Sequence, residues 1–309
     1  MTLSPRTTGL LAAFVTVGAW TAFIVGSRAA VAQRTLAPLD VAVIRVAFAA
    51  AVLLPWGWWL CRGRSGAWLK VSPLPARTSA TLGLLAGLTF PLAAYHAFLF
   101  APAAHGSVLM PGLLPLWTAA LSVLVLRERL GLQRALGLGM VLAGAVTVAS
   151  HSLAQAGAGG EAWKGDLLFM SASFSWAIFT ILCRRWQISA VHSNIAVLTF
   201  ASVTLLPAYA LLVATGTVTS HFAEASWREI LSQGVLQGWI AVVVSGIGFM
   251  KMVESFGPVR TTMITAVVPG LSALCAMAML GEPLSWVVIA GLACVTAGIF
   301  VGVRGAAGR

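Results

Sequence analysis

Arg45, Tyr95 and His96 are the side chains with chemistry to offer, and each stands inside a run of apolar residues. A guanidinium keeps its charge at physiological pH, a phenol donates one hydrogen bond, and an imidazole titrates near neutrality. Set in hydrocarbon, such groups need partners and mark a solute or proton path by default. Arg45 lies about 8 Å into its segment, at a rise of about 1.5 Å per residue. It either snorkels outward, pairs with Asp40, or offers a fixed positive charge to an anionic substrate group. Tyr95 is either a substrate contact or part of an interfacial aromatic belt. His96 and the nearby His105 are candidates for a proton relay. Lys251 and Glu254, three apart on one helix face, read as mutual partners.

A second set is weakly polar. Ser107, Pro111, Pro115, Thr118 and Ser122 fall on one stripe at helical spacing. Thr261, Thr265, Pro269, Ser272 and Ala276 repeat that stripe position for position. Each proline removes a backbone donor, so Pro111 and Pro115 free the carbonyls of Ser107 and Pro111. In lipid those carbonyls need protein or water, which points both stripes inward as walls of a pathway. The alternative is that small and hydroxylated residues merely let helices pack closely. Trp20 and Trp176 occupy matching places in the two halves, and with Trp117 they complete the candidate substrate contacts.

Several chemistries are missing. The chain has no phosphate-binding glycine loop, no His-Glu-x-x-His, no acidic metal motif and no nucleophile–base arrangement. No catalytic residue, metal or cofactor is therefore expected, and the chain does not read as an enzyme. Cys61, Cys183, Cys275 and Cys294 lack ligand spacing and read as apolar fillers.

The elements that must position these residues are transmembrane helices. Of 309 residues, 59% are hydrophobic and 9% charged, with a mean hydropathy of +0.94. A soluble domain would carry about 25% charge. Apolar segments at about 9–27, 40–60, 79–100, 103–126, 132–150, 166–183, 193–213, 235–254, 259–280 and 285–303 have the length that crosses a bilayer. An all-α polytopic membrane protein with ten transmembrane helices follows. Fourteen Lys and Arg fall on one side against four (Arg28, Arg34, Lys164 and Arg228) on the other. That asymmetry predicts both termini in the cytoplasm, and it assigns the net charge of +11 to cytoplasmic loops, with no nucleic-acid partner. Arg6, without a following small-residue cleavage site, predicts that the first segment stays as an anchor.

The chain contains one stretch twice. At a constant offset of 154, Pro115 meets Pro269, Glu128 meets Glu282, Gly137-Leu138 meets Gly291-Leu292 and Ala143-Gly144 meets Ala297-Gly298. Shorter echoes pair Trp20 and Phe23 with Trp176 and Phe179, and Phe48-Ala49 with Phe200-Ala201. Five helices per half place the copies in opposite orientations, so residues 9–150 and 163–303 are expected to form inverted repeats with a substrate site between them. Glu128 and Glu282 are expected to cap or brace the corners that follow their own helices. The glycine and alanine faces of segments 5 and 10 suit a supporting or homodimer-forming role.

Taken together, these residues resemble the drug/metabolite transporter superfamily, in its ten-helix form with two EamA-type domains. The resemblance rests on Trp20, on Pro38 followed by Arg45, and on Pro115-Leu116-Trp117 leading to Glu128-Arg129-Leu130. In the second half it rests on Trp176 with Arg184-Arg185, and on Pro269 leading to Gly281-Glu282-Pro283-Leu284. It implies export of small metabolites, often amino acids or related compounds, by alternating access. It also implies a cavity built by helices 1, 3, 4, 6, 8 and 9. An exporter of amino-acid-like or other amphiphilic metabolites in the inner (plasma) membrane is the reading that results. An anion or phosphorylated-metabolite exchanger using Arg45 is the second reading, and a membrane-embedded enzyme or sensor the third. An aromatic groove would also suit the acyl chain of a flipped lipid.

Overall fold

Long apolar runs have no water to satisfy their backbone groups in a bilayer, and the helix is the structure that satisfies them internally. The computed structural model describes residues 5–32, 36–63, 66–156, 159–282 and 285–304. Pro283 and Leu284 of the second corner, and Arg34, Arg64 and Arg309 of the charge count, lie outside them. Among the described residues there are ten rods and no strand: α1 (Pro5–Ala32), α2 (Pro38–Cys61), α3 (Ala76–Phe100), α4 (Ala103–Leu126), α5 (Leu132–Ala156), α6 (Ala162–Arg185), α7 (Ala190–Ala214), α8 (Trp227–Phe256), α9 (Pro258–Leu280) and α10 (Trp286–Arg304). The first nine are long and apolar enough to span a membrane, and α10 is apolar from Trp286 to Gly302.

Packing follows the internal symmetry. α1 lies against α8 and α9 of the other half, and α6 lies against α3 and α4 in the same way. α2 crosses α8 where Phe48 covers Gly234 and Gly238, and α7 crosses α3 where Phe200 covers Gly83. At these crossings α3 and α8 each widen into a π-helical stretch, Gly83–Thr89 and Gly234–Val244. Such turns recur at functional sites because they leave backbone groups loosely paired.

α4 and α9 are broken rods. α4 stops at Leu109 and resumes at Leu114, with Pro111 in the gap; α9 stops at Thr265 and resumes at Val268. Pro115 and Pro269 sit in the first turn of the second pieces, where no intrahelical donor is lost. Both pieces end in a left-handed cap, at Arg127 (φ 57°) and at Gly281 (φ 66°). Glycine accepts that conformation without strain, whereas Arg127 does so at a cost of about 1–2 kcal/mol.

The small-residue faces of α5 and α10 meet each other within one chain. A methyl group on Gly137 would collide with the Gly298 carbonyl, and one on Gly144 would stand 2.5 Å from that of Gly291. These glycine faces are therefore occupied by each other within the chain. The remaining faces of the pair expose Leu132, Leu136, Leu153, Trp286 and Phe300, as lipid contact requires.

Candidate functional site

A cavity of about 30 Å³, room for a water molecule or two, lies where the halves meet. α1 contributes Trp20, Phe23 and Ile24, and α2 contributes Arg45. Phe90 comes from α3, Met110, Pro111 and Leu114 from α4, Ser173 and Trp176 from α6, and Ala241 from α8. Rings dominate the lining. Trp20 stacks on Phe249 at 5.0 Å, and Trp176 lies 4.8 Å from Phe90 and 6.1 Å edge-on from Trp20.

Arg45 neither snorkels nor pairs with Asp40. Only 6% of it is exposed, and its guanidinium sits 5.5 Å from the Phe23 ring and 5.9 Å from the Phe90 ring. Asp40 is already engaged, accepting from the Ala37 amide, the Tyr209 hydroxyl and the His221 amide. A desolvated cation–π contact contributes about 2 kcal/mol, short of the several kcal/mol that removing a cation from water costs. The balance leaves Arg45 Nη1 buried without a hydrogen-bond partner. Trp176 Nε1 is in the same condition, and its residue lines the same cavity. No Asp or Glu belongs to the lining, or to that of the adjoining cavity shared by Arg45 and Asn194.

Other predicted residues are not in the lining, although Tyr95 lies directly behind it, beside Phe23 and Arg45. Tyr95 is fully buried rather than interfacial; its hydroxyl donates to Gln237 Oε1 at 3.0 Å, and its ring lies beside Phe23. Gln237 Nε2 continues the chain of bonds to Ser27 Oγ at 3.0 Å. His96 stands away from the cavity, with Nδ1 bound to the Leu92 carbonyl of its own helix at 2.7 Å. His105 is buried and meets Asp166 Oδ1 at 2.9 Å at the start of α4 and α6. Trp117 packs edge-on against Phe174, outside the cavity.

Of the hydroxylated stripes, Pro111 alone reaches the cavity. Ser107, Thr118, Thr261, Thr265 and Ser272 are fully buried, and Pro115 and Pro269 are buried with them. They form the seam between α4 and α9, bridged by Thr118 and Thr262 at 3.0 Å. Their hydroxyls turn onto carbonyls one turn back, as Ser272 does onto Val268 and Thr118 onto Leu114. At the break the Ser107 carbonyl, expected to be free, accepts from the Gly112 amide at 3.3 Å, and the Met110 carbonyl accepts from Ser173 of α6 at 2.6 Å.

The two repeat acids sit in different surroundings. Among the described residues Glu282 reaches away from its own corner. It accepts from Arg28 Nε at 2.6 Å and from the Ala103 amide at 3.0 Å, tying α9 to α1 and α4. Glu128 instead borders an open cavity of about 570 Å³ at the opposite end, together with Arg129, Arg134, Arg184 and Arg260. Lys251 and Glu254 pair at 2.7 Å as expected, and Glu254 also accepts from the Ala190 amide that starts α7.

The model of the EamA-like transporter family matches the chain twice, over residues 7–150 and 163–304. A solved crystal structure covers 98% of the chain with a TM-score of 0.64 at 20% identity, the chain covering 100% of it, and it is alike in fold. No curated protein matches.

Proposed function

Because the chain belongs to the EamA-like transporter family, a family of membrane transporters of small solutes, we propose that it exports small organic anions of amphiphilic shape, amino acids and related carboxylates, by alternating access. The observation that carries this reading is the pair of unpartnered donors, Arg45 Nη1 and Trp176 Nε1, on one ring-lined cavity. Buried donors without acceptors are costly, and a carboxylate entering between them would satisfy both. The rings of Trp20, Phe90 and Trp176 offer the rest of the solute an apolar wall, and their faces suit an ammonium group through cation–π attraction. One guanidinium without a second cation suits a singly charged carboxylate better than a doubly charged phosphate ester, so the exchanger of phosphorylated metabolites is the weaker reading.

The cavity in this conformation admits only water, so loading requires one end of the molecule to open. The inner membrane, with the basic loops in the cytoplasm, is the proposed location.

The test is counterflow of a panel of radiolabelled amino acids and aromatic monocarboxylates in proteoliposomes. Arg45→Gln is expected to lower uptake of any transported carboxylate at least tenfold while the protein remains monodisperse. Undiminished counterflow in that variant would sink the anion-recognition reading.

A further inference from the structure

The ion pair that ties four helices together at one end of the molecule has a repeat-related counterpart at the other end, and the counterpart is unmade. Arg28 Nε and the Ala103 amide hold Glu282, while Arg28 Nη1 donates to the Phe98 carbonyl at 2.6 Å. One cluster thus fastens α1, α3, α4 and α9 at the end predicted to face away from the cytoplasm. The offset of 156 that carries Trp20 and Phe23 onto Trp176 and Phe179 carries Arg28 onto Arg184. The offset of 154 carries Glu282 back onto Glu128, each following a left-handed helix cap. Arg184 and Glu128 line the same open cavity of about 570 Å³ and make no ion pair with each other. The acid, the base and their helices are all repeated; only the closure is missing.

We propose that Arg184–Glu128 is the second of two latches made in turn: Arg28–Glu282 holds the outer end shut in the present conformation, and Arg184–Glu128 holds the inner end shut when the outer one parts. This rests on the alternating-access reading above and names its gate residues. An inverted repeat supplies the physical reason, since exchanging the conformations of its halves turns each end into the likeness of the other. The halves are not identical at this point. The outer acid takes the free amide of Ala103, whereas at the matching position the Gly257 amide is spent on the Val253 carbonyl, and Pro258 after it has no amide. The inner latch therefore has one hydrogen bond fewer than the outer one.

The test is a spin-label distance across the inner end, between Gln133→Cys on α5 and Gln187→Cys after α6. It is measured by pulsed electron resonance on the full-length reconstituted protein with its native cysteines replaced. Two distance populations are expected, a long one for the open inner end and a short one for the closed. Arg184→Gln should lower the ratio of short to long about threefold to tenfold, and Arg28→Gln should raise it by a similar factor. The exchanged pair Arg184→Glu with Glu128→Arg should restore the short population, an outcome that a fold defect would not give. Two populations that respond to Arg28→Gln but not to Arg184→Gln would overturn the inner latch and leave alternating access standing. A single distance unmoved by any variant would overturn both.

Discussion

Arg45 and Trp176 line one cavity and each has a buried donor without a partner, but the two differ in what their loss should do. Trp176→Phe keeps a ring against Phe90 and Trp20 and removes only the unpartnered Nε1–H. A neutral hydrogen bond is worth about 0.5–1.5 kcal/mol, so affinity for a carboxylate should fall about threefold to tenfold. Tyr95→Phe should act differently. Its hydroxyl serves Gln237 in a fully buried chain of bonds. Removing it leaves the Gln237 carbonyl unpaired, at about 1–3 kcal/mol, and should lower the melting temperature in detergent more than it changes binding. Isothermal titration and thermal melts on the same preparations separate the two.

At the level of helices, the seam between α5 and α10 is set by close backbone approach, and glycine is required where the carbonyls meet. Gly144→Ala would drive a methyl group into the Gly291 carbonyl and the Val295 side chain, and backbone cannot yield as a flexible side chain does. The variant should part the two helices and lower the melting temperature by several degrees. Gly139, one face away on the same helix, has open space around its Cβ position. Gly139→Ala should be neutral or stabilising, because alanine is favoured over glycine in a helix by about 1 kcal/mol. Similar losses from both variants would count against the seam.

The whole molecule is held together chiefly between its halves: α1 on α8 and α9, α6 on α3 and α4, α5 on α10. Neither half should be stable alone, since each would expose the glycine and aromatic faces that the other covers. Residues 1–156 and 159–309 expressed as separate chains should aggregate singly. Expressed together, they should co-purify as a 1:1 complex on size exclusion. A monodisperse single half would show that the internal symmetry is not needed for assembly.

The ten helices, their approximate ends and the duplication were legible in the sequence because apolar length and fixed offsets are local properties. Trp20, Arg45, Pro111 and Trp176, singled out by residue type or by their matching places in the two halves, do line the central cavity. Which stripe residues reach the cavity was not legible. Periodicity gives the face of a helix that is buried but not the neighbour that buries it, and for α4 and α9 that neighbour is mostly the other one. His96 looked functional by residue type, yet a carbonyl one turn back satisfies it. The distant pairing of Glu282 with Arg28 and Ala103 left no signal in spacing. Two repeats of apolar helices could be read from local pattern alone; which charges are neutralised at the ends, and that Arg45 Nη1 is left without a hydrogen-bond partner between the halves, depends on packing, because partners that far apart in the chain are set by helix contacts and not by periodicity.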